Sequence, residues 1–250
     1  MDDPQHAVSN LNAKFWDLKN IEFGEGQARK THRIVMENDN GPHSFITICN
    51  ILTLRGELEI PAGWISVSYA YLMELMVEQS CSLTYSAMDS ALKVMPRTQR
   101  NVELTPVFTE VKSFSESERI NSFVYLLKVL GIEPVHGWLV DPESPEAEAV
   151  SEVGDHDHAV SLIANALLDS DSENPSKETV KTADIIMKFF LDTRSQLTRY
   201  GVSQLASTTE PGALMVLYRN FHLPVLYKRD ASDDPGLYLY SLVTEPRLVK

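Results

Sequence analysis

Three features of this 250-residue chain predict an α+β domain. The segment at 44–55, "SFITICNILTLR", carries apolar residues on nearly every side, as a helix buried in a core does. Further helical patterns follow through the middle of the chain. The C-terminal part then changes to short β-branched and aromatic runs that read as strands, and helices first with antiparallel strands last define the class. The composition permits one sizeable core: 43% of residues are hydrophobic, with 11 Gly and 13 Pro.

In chain order, "RIVM" at 33–36 has the look of a strand, and "ENDNGPH" at 37–43 is a tight turn running into the central helix. "VSYAYLMELMVEQ" (67–79) and "SAMDSALKVM" (86–95) read as helices, and "NVELTPVFTEV" (101–111) as extended chain. "ERINSFVYLLKVLGI" (118–132) is a helix stopped by Gly131, and "EPVHGWLV" (133–140) a short strand leading to a Pro-bounded turn. The acidic stretch from 141 holds a short helix, and "DHAVSLIANALL" (157–168) a longer one. "TVKTADIIMKFFLDT" (179–193) and "VSQLAST" (202–208) are helices. The strands are "GALMVLYRN" (212–220), "LPVLYK" (223–228) and "GLYLYSLV" (236–243), with "RDASDDPG" as a hairpin loop between the last two. The expected organisation is a flexible N-terminus over 1–14 and one domain over 15–250, with an acidic insertion at about 141–157 and a linker at about 169–178.

The formal charge of −13 and pI near 4.9 argue against binding a phosphate backbone, which requires a basic surface. Seven acids and no Lys or Arg lie in 141–157, and four acids with one Lys in 169–178, so these two segments carry −10 of the total. Solvated loops account for most of that charge. An acidic rim also attracts a basic partner, speeding its association more than tightening it. The two cysteines, Cys49 and Cys81, sit in apolar runs and form no disulfide framework. The first residues, "MDDPQHAVSN", lack the apolar segment of a signal peptide, and no run of about 20 apolar residues is present to span a bilayer. A cytoplasmic or nuclear protein is expected, without membrane or nucleic-acid partners and without a cofactor.

Five stretches carry a resemblance: "ENDNGPHSFITICNILTLR", "FTEVKSF", "LGIEPVHGWLVDPESPEA", "FFLDTRSQLTRYGVSQL" and "VLYRNFHL…GLYLYSLVT". In this order and spacing, over 15–244, they resemble the MINDY family of deubiquitinases. The resemblance implies a papain-like α+β fold of the MINDY type, with a central buried helix packed on an antiparallel C-terminal sheet. It also implies cysteine isopeptidase ancestry and recognition of polyubiquitin chains.

The family pattern places a catalytic Cys directly after "NGP", and the matching residue here is His43. A Cys belongs there because the unpaired amides and dipole of a helix N-terminus stabilise a thiolate. The same field disfavours imidazolium, so His43 is expected to be neutral and a poor nucleophile toward an isopeptide. The family's oxyanion-stabilising Gln, six residues earlier, corresponds to Glu37, whose carboxylate would repel the charge that Gln stabilises. Losing one such donor costs on the order of 10²–10³ in rate. The family's catalytic His is retained as His222. A degenerate member, a pseudoenzyme that keeps binding without cleavage, is therefore expected.

Substitutes for the missing nucleophile are weak. Cys49 lies about 9 Å further along the helix and is turned by about 240° from residue 43. Ser44 would need His222 as base and a donor where Glu37 stands. Glu37, His43 and His222 together would make a ligand set that Zn²⁺ accepts, although no metal-binding spacing supports it. His156 and His158 in "GDHDHA" read as a loop or helix start.

For ubiquitin contact, the resemblance implies Trp138, Tyr218, His158, and Glu103 with Leu104. Trp138 and Tyr218 keep the aromatic character of interface anchors, whereas His158 departs from the family's Tyr. Trp138, Tyr218 and Leu104 also suit a hydrophobic core. The alternatives to ubiquitin binding are a structural or regulatory partner of an active deubiquitinase relative or another protein, and a residual hydrolase.

Overall fold

The structure is a computed structural model that describes residues 15–37, 43–79, 104–115, 118–170, 177–229 and 238–245. The described residues form two sheets and seven helices, a mixed α+β architecture. Strands β1 (Phe15–Phe23) and β2 (Lys30–Val35) make an antiparallel hairpin, and β3 (Ser66–Ser68) pairs with the other edge of β1. Between them runs helix α1 (His43–Leu54). Helix α2 (Tyr69–Gln79) follows β3 directly, and α3 (Glu118–Val129) leads into β4 (Pro134–Val135). Four helices come next: α4 (Ala147–Val153), α5 (His156–Ser170), α6 (Lys177–Asp192) and α7 (Arg199–Thr208). Strands β5 (Leu214–Leu217), β6 (Val225–Lys228) and β7 (Leu239–Ser241) complete a second sheet of order β4-β5-β6-β7.

Helix α1 is the centre of the molecule, as its all-round apolar sequence predicts. Phe45, Ile46, Ile48, Cys49 and Ile51 are fully buried, each aliphatic side chain contributing about 1.5–3 kcal/mol by leaving water. Two buried polar residues on α1 set the positions of its neighbours. Asn50 accepts from Val35 N (2.8 Å) and donates to Val35 O (2.9 Å), capping the open edge of β2. Thr47 donates to the backbone oxygen of Leu223, in the turn that enters β6. One helix thereby fixes both the end of β2 and the β5–β6 hairpin beside its own N-terminus.

Three expectations need correction. Of the N-terminal sheet only the strand at 33–36 is legible, because the apolar positions of β1 change parity between Leu18 and Ile21 and spoil the period-two signal. The segment at 67–79 is not one helix: Val67 and Ser68 belong to β3, pairing with Phe15 and Trp16, and Ser68 Oγ accepts from Tyr71 N as the helix begins. The C-terminal sheet is mixed. β4 runs parallel to β5, with four helices in the connection that a parallel pair requires. The helix at 86–95, the flexibility of 1–14, and most of the loop at 229–236 and the linker at 169–178 lie outside the described residues. Among the described residues no helix is long and apolar enough to cross a membrane.

Candidate functional site

The β5–β6 hairpin is the shared wall of two cavities. Its turn is closed by Arg219 N to His222 O (3.0 Å) and His222 N to Arg219 O (2.8 Å). Asn220 and Phe221 between them have φ of 48° and 63°, the left-handed pair that a two-residue type I′ hairpin demands. Asn suits that region. Phe, a bulky residue with positive φ, is strained there.

On one side lies a groove of about 370 Å³ lined by Glu37, Arg219, Asn220, His222 and the chain 241–245. Glu37 is half-buried and its N–H donates to Thr244 O (3.0 Å), while His222 is exposed. His43 is the first residue of α1. Two groups of the candidate metal set, the Glu37 carboxylate and the His222 imidazole, thus share one groove. The substitutes fare poorly. Ser44 is only 2% exposed. Cys49 is fully buried with its sulfur 3.9 Å from that of Met76, and burial pushes its thiol far above the usual range, so it stays protonated.

On the other side of the hairpin is a cavity of about 230 Å³. Leu104, Trp138 and Tyr218 line it, so three of the residues expected to contact ubiquitin do converge. They are walls rather than protrusions, since Trp138 and Tyr218 are 3% and 4% exposed. The Trp138 ring packs against Phe108 at 5.2 Å and its Nε1 donates to Thr193 Oγ1 at 2.7 Å. Glu103 lies outside the described residues. His158 lies outside this cavity: its side chain is 76% exposed and bonded to Asp155, and the α5 residues that line the cavity are His156 and Asp157. The helical turn carries residue 158 to a different side from 156, about 200° away.

Buried polar contacts hold this cavity. Asp155 Oδ1 accepts from His158 N at 2.9 Å, capping α5, and its other oxygen accepts from Ser115 Oγ and meets His158 Nδ1. Burial pushes the Asp155 carboxyl up, but these hydrogen bonds and His158 outweigh it and hold it below the usual carboxylate range. His136 orients the segment after β4 that carries Trp138: its Nε2–H donates to Ser113 O (3.1 Å) and its Nδ1 accepts from Trp138 N (3.3 Å). Burial pushes this imidazole down to about 4, against hydrogen bonds to Ser113 and Glu110, so it is neutral near pH 7. Gly137 then packs backbone-to-backbone on α7, whose cap Thr198 accepts from Gly201 N at 2.9 Å. That approach leaves no room for a Cβ, which on Gly201 would stand 2.0 Å from Gly137 O. It also brings the loop before α7 to the hairpin, where Gln196 Oε1 accepts from Asn220 N (2.6 Å) and Arg219 Nε donates to Ser195 O (2.7 Å). Gln196, Asp157, Pro106 and Phe221 were not singled out from the sequence. The pair Asn220–Phe221 between two strand-like runs was the one available signal, as a left-handed turn.

Comparison with known proteins bears on this arrangement. The family model for MINDY deubiquitinases matches residues 14–250. Ubiquitin carboxyl-terminal hydrolase MINDY-1 of Bos taurus is 30% identical over 227 residues, covering 85% of this chain and 45% of that protein. The Danio rerio protein of the same name is 29% identical over 230 residues (86% of this chain, 41% of that protein). Ubiquitin carboxyl-terminal hydrolase MINDY-2 of Bos taurus is 29% identical over 224 residues (85% and 33%). The chain spans less than half the length of these relatives. With a family match over nearly its whole length, this chain belongs to the MINDY deubiquitinase family.

Proposed function

We propose that this protein binds ubiquitin or polyubiquitin chains without cleaving them, as a pseudoenzyme of its deubiquitinase family. The observation that carries the reading is the composition of the groove. A carboxylate, Glu37, stands with His222 where an amide donor would be needed, and α1 opens with His43 in the position of a thiolate. A developing oxyanion would meet repulsion instead of a hydrogen bond. Recognition is separable from that chemistry. Leu104, Trp138 and Tyr218 meet at a cavity on the far side of the hairpin, which supports retention of a binding face. The papain-like arrangement of the family, as one domain over 15–250, is part of this proposal, supported by the central buried α1 and its two polar clamps.

The test has two arms. Titration of labelled ubiquitin and of chains of several linkages is expected to give saturable binding that Tyr218→Ala weakens, with no dimer cleaved. Restoring His43→Cys with Glu37→Gln is expected to produce cleavage. Cleavage by the unaltered protein at rates comparable to active relatives would overturn the inactive reading. Absence of any ubiquitin binding would favour the regulatory-partner reading instead.

A further inference from the structure

The cavity beside the hairpin has a chemistry of its own. Its walls are the aromatic rings of Trp138, Tyr218 and Phe221, and its mouth carries the carboxylate of Asp157. At about 230 Å³ it lies below the ~300–1,000 Å³ of small-molecule sites and fits a single side chain. Among the described residues, no Lys or Arg lines it. Asp157 Oδ2 accepts from Thr105 Oγ1 (2.9 Å) and Oδ1 meets His156 Nδ1 (3.1 Å), yet its side chain remains 71% exposed. The N-terminus of α5 would by itself repel a cation, but Asp155 and Asp157 place two negative charges against a dipole worth roughly +0.5. Aromatic faces with a carboxylate at the rim are the complement of a guanidinium group, which stacks on π-systems and donates to oxygen in one plane.

A second observation points to the same place. Among the described residues, the non-glycine residues with positive φ are Gln196, Asn220 and Phe221. All three sit at the junction where the hairpin meets the loop before α7, and Gln196 and Phe221 line the cavity. Gly at position 221 would relieve the strain, whereas Phe sets a ring, 54% exposed, at the cavity edge. Strain held where two loops over-determine the backbone is a mark of a binding element.

We propose that this cavity receives one arginine side chain from an extended segment of a bound protein, its stem between Tyr218 and Phe221 and its guanidinium at Asp157. The proposal rests on the reading that this face holds a partner protein, and it adds the feature of the partner that is read.

The test uses Nα-acetyl-arginine methylamide titrated into the full chain, followed by the indole N–H resonance of Trp138, assigned with Trp138→Phe. A saturable shift is expected. The citrulline counterpart, equal in shape but neutral, is expected to bind about tenfold more weakly, as loss of a charged hydrogen bond implies. Asp157→Asn is expected to abolish the discrimination between the two. Phe221→Gly is expected to raise the urea midpoint while weakening the arginine response several-fold, a combination that a merely structural role would not give. Equal affinity for arginine and citrulline, or no movement of the Trp138 resonance, would overturn the proposal. Ubiquitin titrated in parallel separates the two readings. Arginine-selective binding without ubiquitin binding leaves the pocket standing and removes the partner, while ubiquitin binding with no arginine selectivity does the reverse.

Discussion

Replacing Asn50 with Leu would remove two hydrogen bonds while nearly preserving the shape of the side chain. Val35 faces Leu18 across the hairpin, but Leu18 N donates to Ile65 O and Met36 N to Asp17 O, so the polar groups of Val35 point away from β1. β2 is an edge strand of its sheet, and Asn50 serves both groups in a region where Val35 and Asn50 are 0% exposed. Water cannot replace it. Each orphaned group costs about 1–3 kcal/mol, so Asn50→Leu is expected to destabilise the fold by about 2–6 kcal/mol. Apolar burial does not fall, so nothing from a cavity enters that figure. Against a total of about 5–15 kcal/mol the loss is large. With an m-value near 3 kcal/mol/M, the urea midpoint should drop by about 0.7–2 M. Equilibrium urea unfolding followed by far-UV circular dichroism measures it. A drop below about 0.3 M would refute the idea that Asn50 satisfies the edge of β2 and thereby fixes the strand leading to Glu37.

His136 gives a pH dependence. Its folded-state value, about 4, lies below the unfolded 6.5, so the unfolded chain takes up a proton first as pH falls. The stabilisation is complete above 6.5 and is lost progressively toward 4; about 2 kcal/mol should disappear between pH 7 and pH 5, measured by urea midpoints. His136→Gln, which keeps a donor and an acceptor, should remove that part of the dependence. Gly201→Ala sets two effects against each other: helix propensity gains about 1 kcal/mol, while a Cβ forced to 2.0 Å from a backbone oxygen costs about 3 kcal/mol, the upper part of the overpacking range. The net effect should be a lower thermal midpoint, with altered Trp138 fluorescence because Gly137 precedes it; an unchanged or higher midpoint would contradict the close packing of α7 on Gly137.

The sequence by itself determined the fold class, the central helix and the chemistry at positions 37, 43 and 222, because each is written in local pattern or residue identity. An all-round apolar segment can only be buried, and an imidazole is not a thiolate in any fold. It also marked Trp138, Tyr218 and Leu104, though as candidates for core and contact alike. Tertiary structure makes them buried walls of one cavity, which His156 and Asp157 also line, and sets His158 on another side of its helix. The parallel placement of β4, the approach of Gly137 to Gly201, and the meeting of Gln196 with Asn220 join residues far apart in the chain. Such contacts depend on how completed elements pack, and side-chain periodicity records only which face of an element is turned inward, not what it meets.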